Sequence, residues 1–334
     1  MGKIDIETKE YVKRPEVFAD LFNHLLYDGK QVIVPEKLVE MDTTELSMPY
    51  GDSGMVFPSQ RYRDNLKNTV VMEDADAAYA LILGAENQTD VHYAMPVKNM
   101  VYDGMNYASQ VSVISRRHRK DKASAASAEY LSGMHKKDRL IPVVTLVVYF
   151  GQKPWDGPMC IHEMLAIQKP QLLRFIPDYR INLISPVSMN TEEIGKFRSD
   201  FKELAAFIQC GRDKKAMQKL VENNASFQHM DPLTANIIND VTHAGLKLKE
   251  NEKGEIDMCL AISGMKEDAR KKGILEGIQK GIQEGETLIL TLIQKLFAEG
   301  RSEEIQKIAE DEVYRNRLLK EYGLEQDSCV GQEK

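Results

Sequence analysis

The sequence predicts an α/β domain followed by an all-helical C-terminal region. Two β-type runs, residues 61–67 and 79–88, are separated by a polar connector at 73–76 that is typical of a hairpin turn. A third run, 142–150, is almost continuously apolar and β-branched, as in a strand covered on both faces. Beyond about residue 188 the apolar residues recur at helical spacing instead. The sheet is therefore expected in the first half of the chain.

The N-terminal elements are expected to be a loose arm, a helix and a short strand. Residues 1–13 are rich in charged side chains, which predicts the arm. Pro15 opens the helix, whose apolar residues repeat at helical spacing until it ends near Gly29. The run 31–35 predicts the strand.

Two further elements are expected after the hairpin. Residues 95–118 alternate apolar and polar side chains at helical spacing, so a helix should follow the second strand directly. Residues 179–184 predict a short strand that extends the sheet. The helical region then begins with a capping-box pattern at 191–194.

A four-residue repeat of Gly and Ile runs from Gly273 to Gly285. On a helix these glycines form one narrow stripe, which suits close contact between helices. Each interior Gly costs about 1 kcal/mol relative to Ala, so a flexible linker is the alternative. Helices at 288–297 and 303–319 are indicated more clearly.

Composition excludes several classes of protein. At 334 residues the chain has room for about two domains, and its net charge of −7 argues against a bulk polyanion binder. Any nucleic-acid contact must then use a local basic patch. The four cysteines lack zinc or disulfide-framework spacing, which predicts reduced thiols. With no apolar run near ~20 residues and no signal-peptide pattern, we expect a cytoplasmic protein outside the membrane.

Two carboxylates, Asp64 and Glu86, lie in the two runs that form the predicted hairpin. Carboxylates on adjacent strands can share one Mg²⁺, which usually takes one or two such ligands. A cation there can polarise a phosphate and lower the pKa of a bound water. Gln88, two residues after Glu86, should point to the same face of its strand. On spacing alone, solvated strand-end carboxylates are the commoner interpretation.

Three segments of the chain resemble a known nuclease family. They are Tyr-Arg-Asp-Asn-Leu at 62–66, Leu-Ile-Leu-Gly-Ala-Glu-Asn-Gln-Thr at 81–89, and Ile-Pro-Val-Val-Thr-Leu-Val-Val-Tyr-Phe-Gly at 141–151 followed by Lys-Pro-Trp. They resemble the Rpn-type recombination-promoting nucleases, also called transposases, within the PD-(D/E)XK nuclease superfamily. The resemblance implies a restriction-endonuclease-like core, a mixed sheet flanked by helices, over roughly residues 14–187.

The resemblance also implies roles for individual residues. Asp64 falls at the motif's Asp, Glu86 at its Asp/Glu, and Gln88 at its Lys, a departure that looks usual for this branch. Mg²⁺ or Mn²⁺ would be held by Asp64, Glu86 and the backbone carbonyl of Asn87. Gln88 would complete the catalytic set, although a neutral amide cannot act as a general base.

Six further side chains are candidates for supporting the site or binding substrate. Tyr107 and Gln110 share one face of the predicted helix, but Tyr107 could equally be a core aromatic. Lys67 and Lys98 are the two candidates for the positive charge that Gln88 lacks. Arg116 and Arg117 begin the densest basic cluster, which is either a phosphate-binding patch or a solvated helix end.

The sequence therefore predicts three regions: a nuclease-like domain at 14–187, a helical region at 190–262, and C-terminal helices at 264–325 that form a homo-oligomer. The predicted function is a metal-dependent DNA endonuclease, and the resemblance implies that it promotes recombination. The alternative is a non-catalytic DNA-binding or assembly protein that retains the nuclease fold.

Overall fold

A computed structural model describes residues 2–41, 44–46, 60–62, 64–74, 77–120, 127–211 and 213–324. The protein is a mixed α/β molecule with a five-stranded mixed sheet and a helical C-terminal region. The coarse fold class predicted from the sequence is therefore confirmed. Part of the predicted hairpin turn, residues 75–76, lies outside the described residues.

The described strands all lie before residue 185, and the named elements after β7 are helices. The strands are β1 (Val39–Glu40), β2 (Thr44–Leu46), β3 (Gln60–Tyr62), β4 (Asn65–Asp74), β5 (Ala77–Gln88), β6 (Val143–Tyr149) and β7 (Asn182–Ile184). The helices are α1 (Lys3–Lys13), α2 (Pro15–Tyr27), α3 (Met95–Lys120), α4 (Ser127–Ser132), α5 (Pro170–Leu173), α6 (Thr191–Gly195), α7 (Phe201–Cys210), α8 (Lys214–Glu222), α9 (Pro232–Thr242), α10 (Met258–Ala298), α11 (Glu304–Glu310) and α12 (Glu312–Glu321).

Strand β5 lies at the centre of the main sheet, whose order is β1-β4-β5-β6-β7. It pairs with β4 as an antiparallel hairpin and with β6 in parallel, α3 making the crossover. Strand β7 extends the parallel side, and β2 and β3 form a separate two-stranded ladder. Residues 81–86 are all buried, as expected for a strand with a layer on each face.

The N-terminal arm predicted from the sequence is instead the helix α1. Its Tyr11 and Val12 are fully buried. The Thr8 hydroxyl donates a hydrogen bond to the backbone carbonyl of Ile4, one turn earlier in the helix. The apolar contact outweighs the surrounding charge, because burial of large side chains stabilises a helix more than exposed charges destabilise it. The predicted strand at 31–35 is also wrong: these residues form no strand.

Met1–Ile262 forms one compact unit, and Ser263–Lys334 forms a second. The predicted ranges 14–187 and 190–262 both lie in the first unit. The core of the second unit is a cluster of buried apolar side chains contributed by α10, α11 and α12: Leu292, Leu296, Ile308 and Leu318. Among the described residues, every helix is too short or too polar to cross a lipid bilayer.

Helix α10 runs through the Gly/Ile repeat without interruption. Within the second unit, a Cβ added at Gly273, Gly277, Gly281 or Gly285 would meet no described atom within 4 Å. The neighbouring Ile274, Ile278 and Ile282 side chains are more than half exposed. The repeat is therefore helical, and its glycines make no close contact within this unit.

Candidate functional site

The carboxyl end of β5 and the start of β4 bring the two predicted carboxylates to one edge of the sheet. Asp64 directly precedes β4, whose first residue, Asn65, pairs with Ala85 of β5. A hydrogen bond joins the two strands beyond that pair, the backbone N–H of Asn87 donating to Oδ2 of Asp64 over 2.9 Å. The Asp64 side chain is 21% exposed, so it is open to solvent and to a ligand.

Glu86 is paired with a cation from α3. Its side chain is 1% exposed, and Lys98 Nζ lies 2.8 Å from Glu86 Oε2. Burial lowers the pKa of Lys98, but the charge and hydrogen bond of Glu86, with a smaller contribution from Asp64, outweigh it and raise that pKa above its usual value. Lys98 therefore stays protonated at neutral pH and faces both carboxylates.

A second lysine reaches the site from α1. Lys9 Nζ lies 3.9 Å from Asp64 Oδ1, and the Lys9 side chain is 32% exposed. Lys9 was missed from the sequence because residues 1–13 were expected to be a loose arm. The signal that could have found it is the helical spacing of Ile4, Thr8 and Tyr11.

Asn87 and Gln88 occupy the last two positions of β5. Because a strand residue's N–H and C=O point to the same side, the Asn87 carbonyl points toward Asp64, as its N–H does. Both polar atoms of the Asn87 side chain are buried and make no hydrogen bond with a described residue. Gln88 accepts a 2.8 Å hydrogen bond from the Phe150 N–H through its carbonyl, and its side chain is half-buried on the face that carries Glu86.

Lys67, the other candidate for the missing charge, is held on the opposite face of the sheet. Lys67 pairs with Leu83 of β5, so the two side chains lie on the same face of the sheet. Leu83 is three residues before Glu86, and side chains alternate between faces along a strand, so Lys67 and Glu86 lie on opposite faces. Lys67 Nζ donates to the Lys13 carbonyl over 2.6 Å and lies 5.1 Å from the centre of the Phe18 ring. Burial lowers the pKa of Lys67. The structure thus brings Lys98, and not Lys67, to the carboxylates.

Tyr107 and Gln110 hold the beginning of β6. The Val143 N–H donates to the Tyr107 hydroxyl over 3.0 Å, and Gln110 bonds both the N–H and the carbonyl of Ile141. Val143 lies beside Ile82, four residues before Glu86, which is about 13 Å along the strand. The structure does not bring these two side chains to the carboxylates.

Arg116 and Arg117 lie at the far end of α3, exposed to solvent. They are 18 and 19 residues beyond Lys98, which is about 27 Å along the helix axis. They cannot contact a group bound at Asp64 and Glu86. As surface cations they remain available to a long ligand that spans the helix.

The oxygen donors at this edge fit a hard divalent cation. Asp64, Glu86 and the Asn87 carbonyl supply oxygen atoms only, which is the donor set that Mg²⁺ prefers. Two lysines, Lys9 and Lys98, balance the charge of the two carboxylates, so a bound cation would have to compete with them.

Comparison with known proteins matches the middle of the chain to one family model. Searches of curated proteins and of solved structures returned no match. Residues 86–235 match the family model described as "Putative transposase, YhgA-like". The match begins at Glu86 and includes α3 and β6, whereas Asp64 precedes it. The resemblance to the Rpn-type transposases is thereby confirmed over residues 86–235.

Proposed function

We propose that the protein is a metal-dependent deoxyribonuclease with a PD-(D/E)XK-type core. The observation that carries the proposal is the cluster at the end of β5, where Asp64 bonds the backbone of Asn87 and Glu86 pairs with Lys98. Acidic side chains at a sheet edge with a protonated lysine facing both of them form a constellation suited to phosphodiester hydrolysis.

Asp64, Glu86 and the Asn87 carbonyl would hold Mg²⁺ or Mn²⁺ at this edge. The bound cation would supply Lewis acidity toward the scissile phosphate. The chain's own contribution is to fix the donors: the Asn87 N–H orients the Asp64 carboxylate, and the strand pairing on both sides of β5 fixes Glu86.

Lys98 takes the electrostatic role that the superfamily gives to the motif lysine. Its raised pKa keeps the ammonium charged at neutral pH, so it stabilises negative charge developing on the phosphate and does not act as a base. Gln88 offers an amide donor and a carbonyl acceptor on the same face as Glu86 and can orient water or phosphate. Lys9 can share a phosphate oxygen from the Asp64 side.

DNA is the substrate of the proposed nuclease. The matching family model is named for transposases, which act on DNA. The chain as a whole is acidic, so phosphate contacts must come from local cations such as Arg116 and Arg117. Their ~27 Å distance from Lys98 along α3 is about eight base pairs of a duplex at ~3.4 Å each.

The alternative function is a non-catalytic DNA-binding or assembly protein. The observation that favours it is the ion pair itself, because a buried Glu86 already neutralised by Lys98 is less available to a metal ion. In this alternative the site would be a structural ion pair, and the C-terminal helices would assemble the chains.

Incubation of the purified protein with supercoiled plasmid separates the two functions. The reactions contain Mg²⁺, Mn²⁺ or EDTA, and a protein carrying Asp64→Ala, purified identically, controls for contaminating nucleases. The nuclease proposal expects nicking with Mg²⁺ or Mn²⁺ that is lost in EDTA and in the variant. A plasmid that is retarded on a gel but remains uncut under every condition would favour the alternative.

A further inference from the structure

A second cluster of potential metal ligands lies at the other end of α3, away from Asp64 and Glu86. His118, His135 and Asp138 each offer one ligand atom, and these atoms lie within 4.8 Å of one another. Within the described residues, this is the group of three His, Cys, Asp or Glu side chains that meets that distance. His118 is about 30 Å along the helix from Lys98.

The chain builds this cluster from two separate segments. His118 belongs to the last turn of α3, whereas His135 and Asp138 lie in the turn before β6. Asp138 Oδ2 accepts a 2.6 Å hydrogen bond from the His135 N–H and lies 2.8 Å from His118 Nε2. The two imidazole rings stack with their centres 3.7 Å apart. These contacts fix all three side chains close together before any ligand arrives.

The atoms present are suited to a transition metal. Two ligands about 2.0–2.1 Å from a tetrahedral zinc lie about 3.3 Å apart, close to the 2.8 Å that separates His118 Nε2 from Asp138 Oδ2. Neither ring nitrogen of His135 hydrogen-bonds another described residue. A small rotation of the His135 ring can therefore place one of these nitrogens on the metal as its third protein ligand.

The location also favours a cation. The carboxyl end of a helix carries partial negative charge, and α3 ends two residues after His118. Exposed basic side chains nearby, such as Arg116 and Arg117, repel a cation that is bound mainly by electrostatic attraction, as Mg²⁺ is. Imidazole nitrogen is instead a ligand for Zn²⁺ and similar ions.

We propose that His118, His135 and Asp138 form a binding site for a divalent transition metal of the zinc class. Three protein ligands leave a fourth position open to water or to another ligand. The metal would clip the end of α3 to the turn that leads into β6, closing the 16-residue segment between His118 and His135. It would thereby hold Arg116 and Arg117 beside Lys136 and Lys137 on one basic surface.

Titration of the tag-free full-length protein with ZnCl₂ by calorimetry, and with CoCl₂ by visible absorption, tests this site. His135→Ala is the informative variant, because it keeps both the backbone hydrogen bond and the His118 contact of Asp138. His229→Ala is the matched control, since His229 also contacts a carboxylate, Glu255 at 3.0 Å, but belongs to no such group of three among the described residues. Asp64→Ala reports on the other candidate metal site.

The wild type, His229→Ala and Asp64→Ala should bind one equivalent of Zn²⁺ and give the same cobalt spectrum. His135→Ala should raise the dissociation constant at least ~10-fold while its circular dichroism stays unchanged. Absence of stoichiometric binding by the wild type would overturn the proposal, as would equal affinity in His135→Ala. Loss of the cobalt spectrum in Asp64→Ala would overturn it too, by assigning the metal to the carboxylate edge. The titration measures metal binding and not DNA cleavage, so its result does not depend on whether the protein is a nuclease.

Discussion

Lys98 is the residue on which the electrostatics of the candidate site depend. It neutralises a Glu86 side chain that is 1% exposed, and it faces Asp64 as well. A buried carboxylate without a cation is costly, because the protein interior solvates charge poorly. Lys98 therefore has both a structural and a proposed catalytic role.

Replacing Lys98 with Met should lower the free energy of unfolding by about 3 kcal/mol, the cost of leaving Glu86 buried without its partner. The partial exposure of Lys98 allows a somewhat smaller loss. The folded-state pKa of Lys98 is raised, so the pair's contribution is complete below the unfolded pKa and is lost only as pH rises through the folded value.

Urea denaturation of wild type and Lys98→Met at about pH 6 and pH 9 measures this effect, with Lys98→Arg as the charge-conserving control. The difference between wild type and Lys98→Met should be the same at both pH values. A difference that vanishes by pH 9 would contradict the raised pKa, and no difference at either pH would contradict the pair's role.

Gln88 is the position where the chain departs from the superfamily motif. If its amide orients water or phosphate, Gln88→Ala should lower the initial nicking rate at fixed Mg²⁺. The loss should be less than the ~3 kcal/mol typical of a dry site, because the side chain is half-exposed. Gln88→Lys should retain or raise the rate. A Gln88→Ala protein that cleaves as fast as wild type would remove Gln88 from the site.

The sequence identifies Lys67 and Lys98 as candidates, but it does not indicate which of them lies beside the carboxylates. Lys67 and Lys98 are each near a motif carboxylate along the chain. The choice depends on the pleat of β4, which turns Lys67 toward α1 and α2, and on the packing of α3, which brings Lys98 to Glu86. Asp64 and Glu86 were easier to place because adjacent strands of a hairpin leave few alternatives.

At the scale of elements, α3 is tied to the sheet by polar contacts along its inner face. Asp103 accepts a 2.6 Å hydrogen bond from Thr145 and a 2.5 Å bond from the Tyr179 hydroxyl. Tyr107 and Gln110 continue the series to the start of β6. These contacts set the position of α3, and therefore of Lys98, against β5.

Tyr107→Phe tests whether Tyr107 acts in catalysis or in this packing. The variant removes the acceptor of the Val143 N–H, so we expect a loss of about 1 kcal/mol in the free energy of unfolding. The nicking rate measured below the melting temperature should stay within about twofold of wild type. A large loss of rate with unchanged stability would instead return Tyr107 to the active site.

Helix α1 shows why one element was not predicted. Its buried positions, Thr8, Tyr11 and Val12, do recur at helical spacing. They are few and lie among charged residues, so the segment has the composition of a disordered arm. The packing of α1 within the first unit confirms the helix that this weak spacing indicates, and it brings Lys9 to Asp64.

At the scale of the whole molecule, the order of elements was more predictable than their grouping. The hairpin, α3 and β6 follow from local patterns, but the first hairpin strand is β4 and not the expected run 61–67, because Gln60–Tyr62 forms β3 in a separate ladder. The inclusion of α6–α9 in the same compact unit as the sheet depends on contacts distant in sequence, which periodicity does not report.

Helix α10 is the surface through which we expect the protein to form a homo-oligomer. The exposed Ile274, Ile278 and Ile282 form a stripe beside glycines that leave room for a close helix. Ile278→Asp should dissociate the assembly to single chains in light scattering at micromolar concentration. Gln279→Asp, on the next residue, adds the same charge beside the stripe and should leave the mass unchanged. A monomeric wild type would contradict the prediction.

If Asp64 and Glu86 form a metal-dependent phosphodiesterase site, the initial nicking rate must depend on both carboxylates and on the Mg²⁺ concentration. The variants Asp64→Asn and Glu86→Gln keep the shape of each side chain and remove its charge. Glu192→Gln, at an exposed carboxylate of the same unit, is the matched control. We predict at least a ~100-fold loss of rate in the first two variants, with native circular dichroism, and no loss in the control. Wild-type rates in Asp64→Asn or Glu86→Gln would contradict the account.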